Sequence, residues 1–332
     1  MSSHNTTLST WAGAIAASLE SRGIDSVQVF ENVGLDITKT LDANARFLVS
    51  DMSNLWHSCV DITDDPAFGL SVPQFRSSTS FHGMGLAVDA SATLLESIEY
   101  LVKLSRLVSN VAEIKLSQIN DQHWEVNWYI EPTLRAQVAD EAMDAFLFAM
   151  VSRIETDDLV AIHLVRKKPL DPSPWLQAFG PSLHFSSYSD ALLIKDEAML
   201  KRRQPGNPAL AQAGEKVALD YLQKLERENI VLQVEGEIRK RLEMGEPKQQ
   251  DIADALNISV RQLQRKLLAR NVSFVQLLQD VRHQLARELL ANPAHSIVEV
   301  SLCLGFNDPS NFASAFKRWE GMSPTSFRKN KN

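Results

Sequence analysis

Between residues 249 and 319 the chain twice places a short apolar helix, a sharp turn and an amphipathic helix in succession, and few folds accommodate that order. In "QQDIADALNISVRQLQRKLL", Ile252, Ala253 and Leu256 share the apolar face of a short helix, and Val260, Leu263 and Leu267 share one side of the next. Asn257 stands at the turn, where Asn tolerates a left-handed backbone, and Ser259 is suited to cap the second helix. In "HSIVEVSLCLGFNDPSNFASAFKRWEGMSP" the order returns. Ile297, Val300 and Leu304 precede a turn at Gly305, and Phe312, Phe316 and Trp319 form the core stripe of a helix beginning near Asp308. Between the two, "SFVQLLQDVRHQLARELLANP" reads as one long helix, capped by Ser273, with Phe274, Leu277, Val281, Leu285 and Leu289 along a single face. At 1.5 Å per residue, about 19 residues span roughly 28 Å.

Each unit has the layout of a helix-turn-helix whose second helix is available to a major groove, over residues 249–268 and 296–319. The strut between them is close to the roughly 34 Å that separates successive groove faces. On the first second-helix, Arg261, Gln264 and Arg265 point away from the apolar side, with Lys266 beside them. Arg can bridge guanine O6 and N7 and Gln can pair with adenine N6 and N7, each contact discriminating by roughly 1–3 kcal/mol. On the other, Ser310, Ser314 and Lys317 face outward, flanked by Asn311 and Arg318. A basic, merely solvated face would account for either unit alone; it does not account for two heads on one strut.

Charge divides in the same sense. Residues 234–332 carry 15 Lys+Arg against 11 Asp+Glu, a net of +4, whereas the rest carries 19 against 30, a net of −11. Only the tail is suited to approach a polyanion. At 332 residues, 44% hydrophobic and 23% charged, the chain has room for two domains with real cores. Residues 8 to 111 read mostly as helix, "SIEYLVKLSRLVSNV" most clearly, through Ile98, Leu101, Val102, Leu104, Leu107 and Val108. Beyond it, "HWEVNWYIEP" alternates Trp124, Val126, Trp128 and Ile130 on one face of a half-buried strand, and "LVAIHLVRK" and "LHFSS" read as further strands. Helical pattern resumes at Asn207-Pro208, where the stripe Ala213, Val217, Tyr221 and Leu225 suits either a dimer seam or packing on its own domain. The expected architecture is an α+β N-terminal domain over residues 1–225, a linker over 226–236, and an all-α domain with two helix-turn-helix units over 237–332.

"IADALNISVRQLQRKL", "SFVQLLQDVRHQLARELL" and "LGFNDPSNFASAFKRWEGMSPTSFR" resemble the C-terminal DNA-binding domain of AraC/XylS-type bacterial transcription regulators, over roughly residues 232–329. Upstream, "VGLDITKTLDANARFLVSDMSNLWHSCVDITDDPAFGL" and "LLESIEYLVKLSRLVSN" resemble the effector-binding and dimerisation half of the branch described as arabinose-binding-type, which includes ornithine-utilisation and virulence or quorum-linked regulators. The resemblance implies a homodimeric regulator that binds double-stranded DNA, contacts RNA polymerase, responds to a small-molecule effector, and activates more often than it represses. It implies base contacts by Arg261, Gln264 and Arg265, with Ser259, Lys266, Ser310, Asn311, Ser314, Lys317 and Arg318 at flanking or phosphate positions. Relatives commonly have an Arg where this chain has Ser314, so sequence reading is expected to rest on the first head. Where the family usually has Ala, this chain has Ser301, whose hydroxyl can bond back to its own helix, so no large effect of this departure is expected.

No motif points to catalysis or a cofactor. Gly-x-Ser-x-Gly, His-Glu-x-x-His and a phosphate-cradling Gly-Lys-Ser/Thr are absent from the sequence. His57, Cys59 and Asp61 in "HSCVD" fan out on a helix instead of converging on a metal, and the Gly-x-Gly of "HGMGL" reads as a loop. Trp124 and Trp128 read as strand packing. Cys59 and Cys303 are far apart and read as isolated thiols of a reducing cytosol. With no basic stretch before Arg22 and no apolar run of membrane length, a cytoplasmic, non-enzymatic protein is expected. Two other readings remain at this stage: a ligand carrier or enzyme tethered to DNA by its tail, and a regulator that needs no effector.

Overall fold

The computed structural model describes residues 5–203, 205–242, 245–270, 272–291 and 295–331. The chain divides into two compact units between Leu222 and Gln223.

In the N-terminal unit a two-stranded antiparallel ribbon, β1 (Thr6–Leu8) with β2 (Arg46–Leu48), stands apart from a five-stranded sheet. The sheet is built from β3 (Ala112–Asn120), β4 (His123–Ile130), β5 (Leu159–His163), β6 (Leu183–His184) and β7 (Asp190–Lys195), in the order β3-β4-β7-β5-β6. All pairings are antiparallel except β5 with β6. The α+β reading therefore holds. β4 carries the expected alternation, with Val126, Trp128 and Ile130 buried on one face. The Leu94–Val108 helix starts where Thr93 accepts a hydrogen bond from Glu96 N at 3.2 Å, and buries Ile98, Leu101, Leu104 and Leu107.

"HGMGL" is not a loop. It opens the His82–Ala90 helix, and its Gly83 lies against Gly214 of the Pro208–Glu228 helix, where a Cβ on Gly83 would fall 1.8 Å from the Gly214 carbonyl oxygen. Two backbones in such contact leave no room for a side chain, which is what the glycines are for. The Pro208–Glu228 helix packs through Ala211, Gly214 and Ala218; Ala213 and Val217 of the predicted stripe are exposed, and Tyr221 stacks on His82.

Among the described residues the elements of the C-terminal unit are all helices. The segment expected as a linker, 226–236, spans the end of the Pro208–Glu228 helix and the start of the Ile230–Leu242 helix, whose Ile230, Val231 and Val234 are buried in the first of two tail cores. That core gathers Ile252, Ala253, Leu263 and Leu267; the second gathers Val300, Leu304, Phe312 and Phe316. The 18-residue helix Phe274–Ala291 serves both, giving Leu277, Leu278 and Val281 to one and Ala286 and Leu290 to the other. Among the described residues no helix is long and apolar enough to cross a membrane.

Candidate nucleic-acid interface and the N-terminal cavity

The first head is the pair Gln249–Ala255 and Val260–Leu268. Asn257 turns the chain with φ +55°, the left-handed conformation its residue type suggested. Ser259 caps the second helix: its hydroxyl accepts from Gln262 N at 3.2 Å, and the Gln262 side chain accepts from Ser259 N at 2.9 Å. With Leu263 and Leu267 buried, Arg261, Gln264, Arg265 and Lys266 are left exposed together. Gln264 Nε2 donates to Gln249 Oε1 at 3.1 Å. Sequence reasoning missed Gln249, whose contact lies across the turn and leaves no periodic signal.

The second head is Ile297–Cys303 and Pro309–Glu320. Ser296 and Asp308 cap the two helices, accepting from Glu299 N at 3.1 Å and Ser310 N at 2.7 Å. Gly305 turns the chain at φ +67°, and a Cβ there would lie 2.8 Å from the Gly245 carbonyl oxygen. Phe312 and Phe316 are buried, while Ser310, Asn311, Ser314, Lys317 and Arg318 are all exposed. Among the described residues the buried Ser301 hydroxyl makes no hydrogen bond, so the back-bond open to it is not formed.

Arg282, on the long helix, is 3% exposed. Its Nε donates to Leu304 O at 2.9 Å, its Nη2 to Gly305 O at 3.0 Å and to Glu246 Oε2 at 3.2 Å, and its guanidinium lies 4.4 Å over the Phe306 ring. Nearby, Glu320 accepts from His283 Nε2 at 2.7 Å and pairs with Arg287 at 3.0 Å, so the one carboxylate of the Pro309–Glu320 helix is engaged away from the outward face. Among the described residues, Arg261, Arg265, Lys266, Lys317 and Arg318 have no carboxylate partner. Two exposed helices with unpaired cations and no acidic side chain on the Val260–Leu268 helix present an electrostatic footprint for a polyanion.

The N-terminal unit contains a cavity of about 110 Å³ walled by Trp11, Met52, Trp56, Trp128, Met143 and Phe146 among others. Trp128, read from the sequence as strand packing, is thus also a wall residue, edge-on to Phe146 with ring centroids 5.8 Å apart. Trp124 lies outside the wall and donates from Nε1 to Asp196 at 2.6 Å. Elsewhere in this unit, burial pushes the Asp144 carboxyl up to about 7 against the opposing pull of Arg166 and the Trp175 N–H. Burial likewise pushes the Cys59 thiol up to about 12. His57 and Asp61 are exposed on the same helix whose inner face holds Cys59.

A family model described as the arabinose-binding domain of AraC transcription regulators, N-terminal, matches residues 23–203, and one described as a helix-turn-helix domain matches residues 252–330. The chain belongs to the AraC family of transcription regulators. The ornithine utilization regulator of Pseudomonas aeruginosa is 28% identical over 295 residues, covering 86% of this chain and 85% of that one. The transcriptional regulator SirC of Salmonella typhimurium is 38% identical over 84 residues, 25% of this chain and 28% of SirC. Among solved structures, the transcriptional regulator CdpR from Pseudomonas aeruginosa aligns over 96% of this chain and 98% of its own at 19% identity, with a TM-score of 0.46. As an AraC-family member the chain is a DNA-binding regulator of transcription, with an effector domain of the arabinose-binding type ahead of the helix-turn-helix domain.

Proposed function

We propose that each chain reads an asymmetric DNA site through two successive major-groove segments, and that the first head carries most of the sequence reading. In this reading Arg261, Gln264 and Arg265 touch base edges, and Ser259, Lys266, Ser310, Asn311, Ser314, Lys317 and Arg318 hold phosphates or flanking positions. The observation that carries it is the contrast between the two exposed faces: the first displays two arginines and a glutamine, the second two serines and an asparagine before its cations. The chain acts as a homodimer in the cytoplasm, without catalytic activity. An effector held by the N-terminal unit shifts the dimer between arrangements that do and do not engage both half-sites and RNA polymerase, the usual outcome being activation. Such a shift is limited to the effector's difference in affinity for the two arrangements.

The test is selection of bound sites from random-sequence DNA by the full-length chain, at several salt concentrations. The expected result is an asymmetric motif of two blocks about one helical turn apart, the block under the first head the sharper, with affinity falling steeply as salt rises. Failure to recover any motif at low salt overturns direct sequence reading.

A further inference from the structure

We infer that Gln249 is a positioning residue of the first head: its side-chain carbonyl orients the Gln264 amide so that the head takes adenine and turns away guanine at one base of the site. The inference rests on the proposed base contact of Gln264, and adds which base that contact selects and what sets the choice.

The three side chains assigned to base edges differ in kind. Arg261 and Arg265 carry only donors, which suits the two acceptors of guanine. A glutamine amide has an acceptor oxygen and a nitrogen with two hydrogens, so alone it is ambiguous. It can lay oxygen and nitrogen against N6–H and N7 of adenine, or turn both hydrogens toward N7 and O6 of guanine. A neighbour that fixes the amide removes the ambiguity.

Gln249 is placed to do so. It opens the Gln249–Ala255 helix and is half-buried, whereas Gln264 is exposed on the Val260–Leu268 helix. The two helices share one core through Ile252, Ala253, Leu263 and Leu267, and the left-handed residue Asn257 turns the chain between them. Across that turn, 15 residues apart in sequence, Gln264 Nε2 donates to Gln249 Oε1 at 3.1 Å. Among the described residues the Gln264 amide has this one partner, so one hydrogen of its nitrogen is committed. What stays open is one hydrogen and the oxygen, the donor–acceptor pair that matches adenine. Guanine would set an acceptor against Oε1 and leave it unmet. The bond also holds the side chain in place before DNA arrives, which lowers the ordering cost of binding. Were the pair reversed, with Gln249 donating to Gln264 Oε1, both hydrogens of Gln264 would be open and guanine would fit better. Residue 249 therefore sets the base by being an acceptor.

The experiment selects sites from random-sequence duplex DNA with the full-length chain and with Gln264→Ala, Gln249→Ala, Gln249→Glu and Gln249→Lys, the unfolding temperature confirming the fold of each. Gln264→Ala marks the position, by abolishing a preference for adenine at one base pair. There, Gln249→Ala should lower the preference for adenine over guanine about fivefold, roughly what one hydrogen bond contributes, and leave other positions alone. Gln249→Glu supplies an acceptor and no donor. It should keep the adenine preference while weakening all sequences alike, because its charge opposes the phosphates. Gln249→Lys supplies donors and no acceptor, and should move the preference to guanine. A merely structural role for Gln249 would weaken binding without changing the base chosen. An unchanged preference in Gln249→Ala, or a Gln249→Lys variant that still selects adenine, overturns the inference and leaves the base contact of Gln264 standing. So does a marked position that prefers a base other than adenine. If Gln264→Ala relaxes no position, the proposed base contact fails and the inference falls with it.

Discussion

The Nε of Arg282 donates to the carbonyl oxygen of Leu304 across 2.9 Å, in the interior of the tail unit. Leu304 is the C-cap of the Ile297–Cys303 helix, so this bond satisfies a carbonyl at the helix end, and its neighbour to Gly305 O satisfies a carbonyl of the turn that aims the second head. The long helix thereby fixes the turn of the second head by a charged donor as well as by Ala286 and Leu290 in its core. Arg282→Met keeps the apolar stem and removes the donors, stranding both carbonyls. Hydrogen bonds to charged groups contribute about 1.5–3 kcal/mol each, and they do not simply add. The expected loss is about 2–4 kcal/mol in the denaturant unfolding of the tail, with weakened DNA binding alongside. Unchanged stability would show that solvent replaces the guanidinium without penalty.

At the first head, Arg265→Ala should cost about 1–3 kcal/mol of DNA affinity and broaden base preference at one position of the selected site. Lys317→Ala should weaken all sequences alike and reduce the salt slope by about one. Ser314→Ala should change little. A Ser314→Ala variant that relaxes site preference while Arg265→Ala preserves it would reverse the assignment of reading and anchoring between the heads.

The tail was almost wholly legible in the sequence, because its rules are local. A 3.6-residue period marks each apolar face, Ser259 and Ser273 cap, and Asn257 and Gly305 turn. What escaped was long-range. Arg282 lies 22 residues from the carbonyl it holds, and as one Arg on a helix it reads as solvated. β3 and β7 were not read as strands, since β3 exposes most of its residues and β7 is a six-residue run whose meaning lies in its neighbours. The cavity is drawn from the Thr7, Val49–Trp56, Leu101–Ile114, β4 and Val138–Phe146 regions, so no single stretch could reveal it. "HGMGL" was misread because the constraint on Gly83 is another backbone, more than a hundred residues away.

The orphaned Ser301 hydroxyl yields a stabilising substitution. It is fully buried with no partner, so folding removes its water and returns nothing. Ser301→Ala removes the hydroxyl and nothing else, and should raise tail stability by about 1 kcal/mol. Equilibrium unfolding decides it: a loss of stability would mean that the hydroxyl is bonded in solution.

The Gly83–Gly214 crossing should be intolerant on both sides. A Cβ on Gly214 would lie 2.5 Å from the Gly83 carbonyl oxygen, as the reciprocal clash predicts. Gly83→Ala and Gly214→Ala should each destabilise the N-terminal unit by about 1–3 kcal/mol through overpacking. The double variant should lose less than the sum, because the first methyl already spreads the helices that the second must enter. Strict additivity would show that the two glycines are tolerated by separate local shifts and not by a shared separation.

Asp144 gives the N-terminal unit a pH dependence of unusual sign. Its carboxyl is 1% exposed, bonded to Trp175 Nε1 at 2.8 Å and paired with Arg166, whose other arm reaches Glu141 at 3.2 Å. Burial nonetheless raises it to about 7, against about 3.9 when unfolded. The folded state therefore binds the proton more tightly, and this group's contribution to stability is fully present below about pH 4 and lost as pH rises through 7. Asp144→Asn removes the titration. The difference in unfolding temperature between the native chain and this variant, followed across pH 4 to 8, should move steadily against the native chain up to about pH 7 and then level off. A difference that is flat with pH, or that moves in the native chain's favour as pH rises, would show that Arg166 holds Asp144 ionised throughout and outweighs its burial.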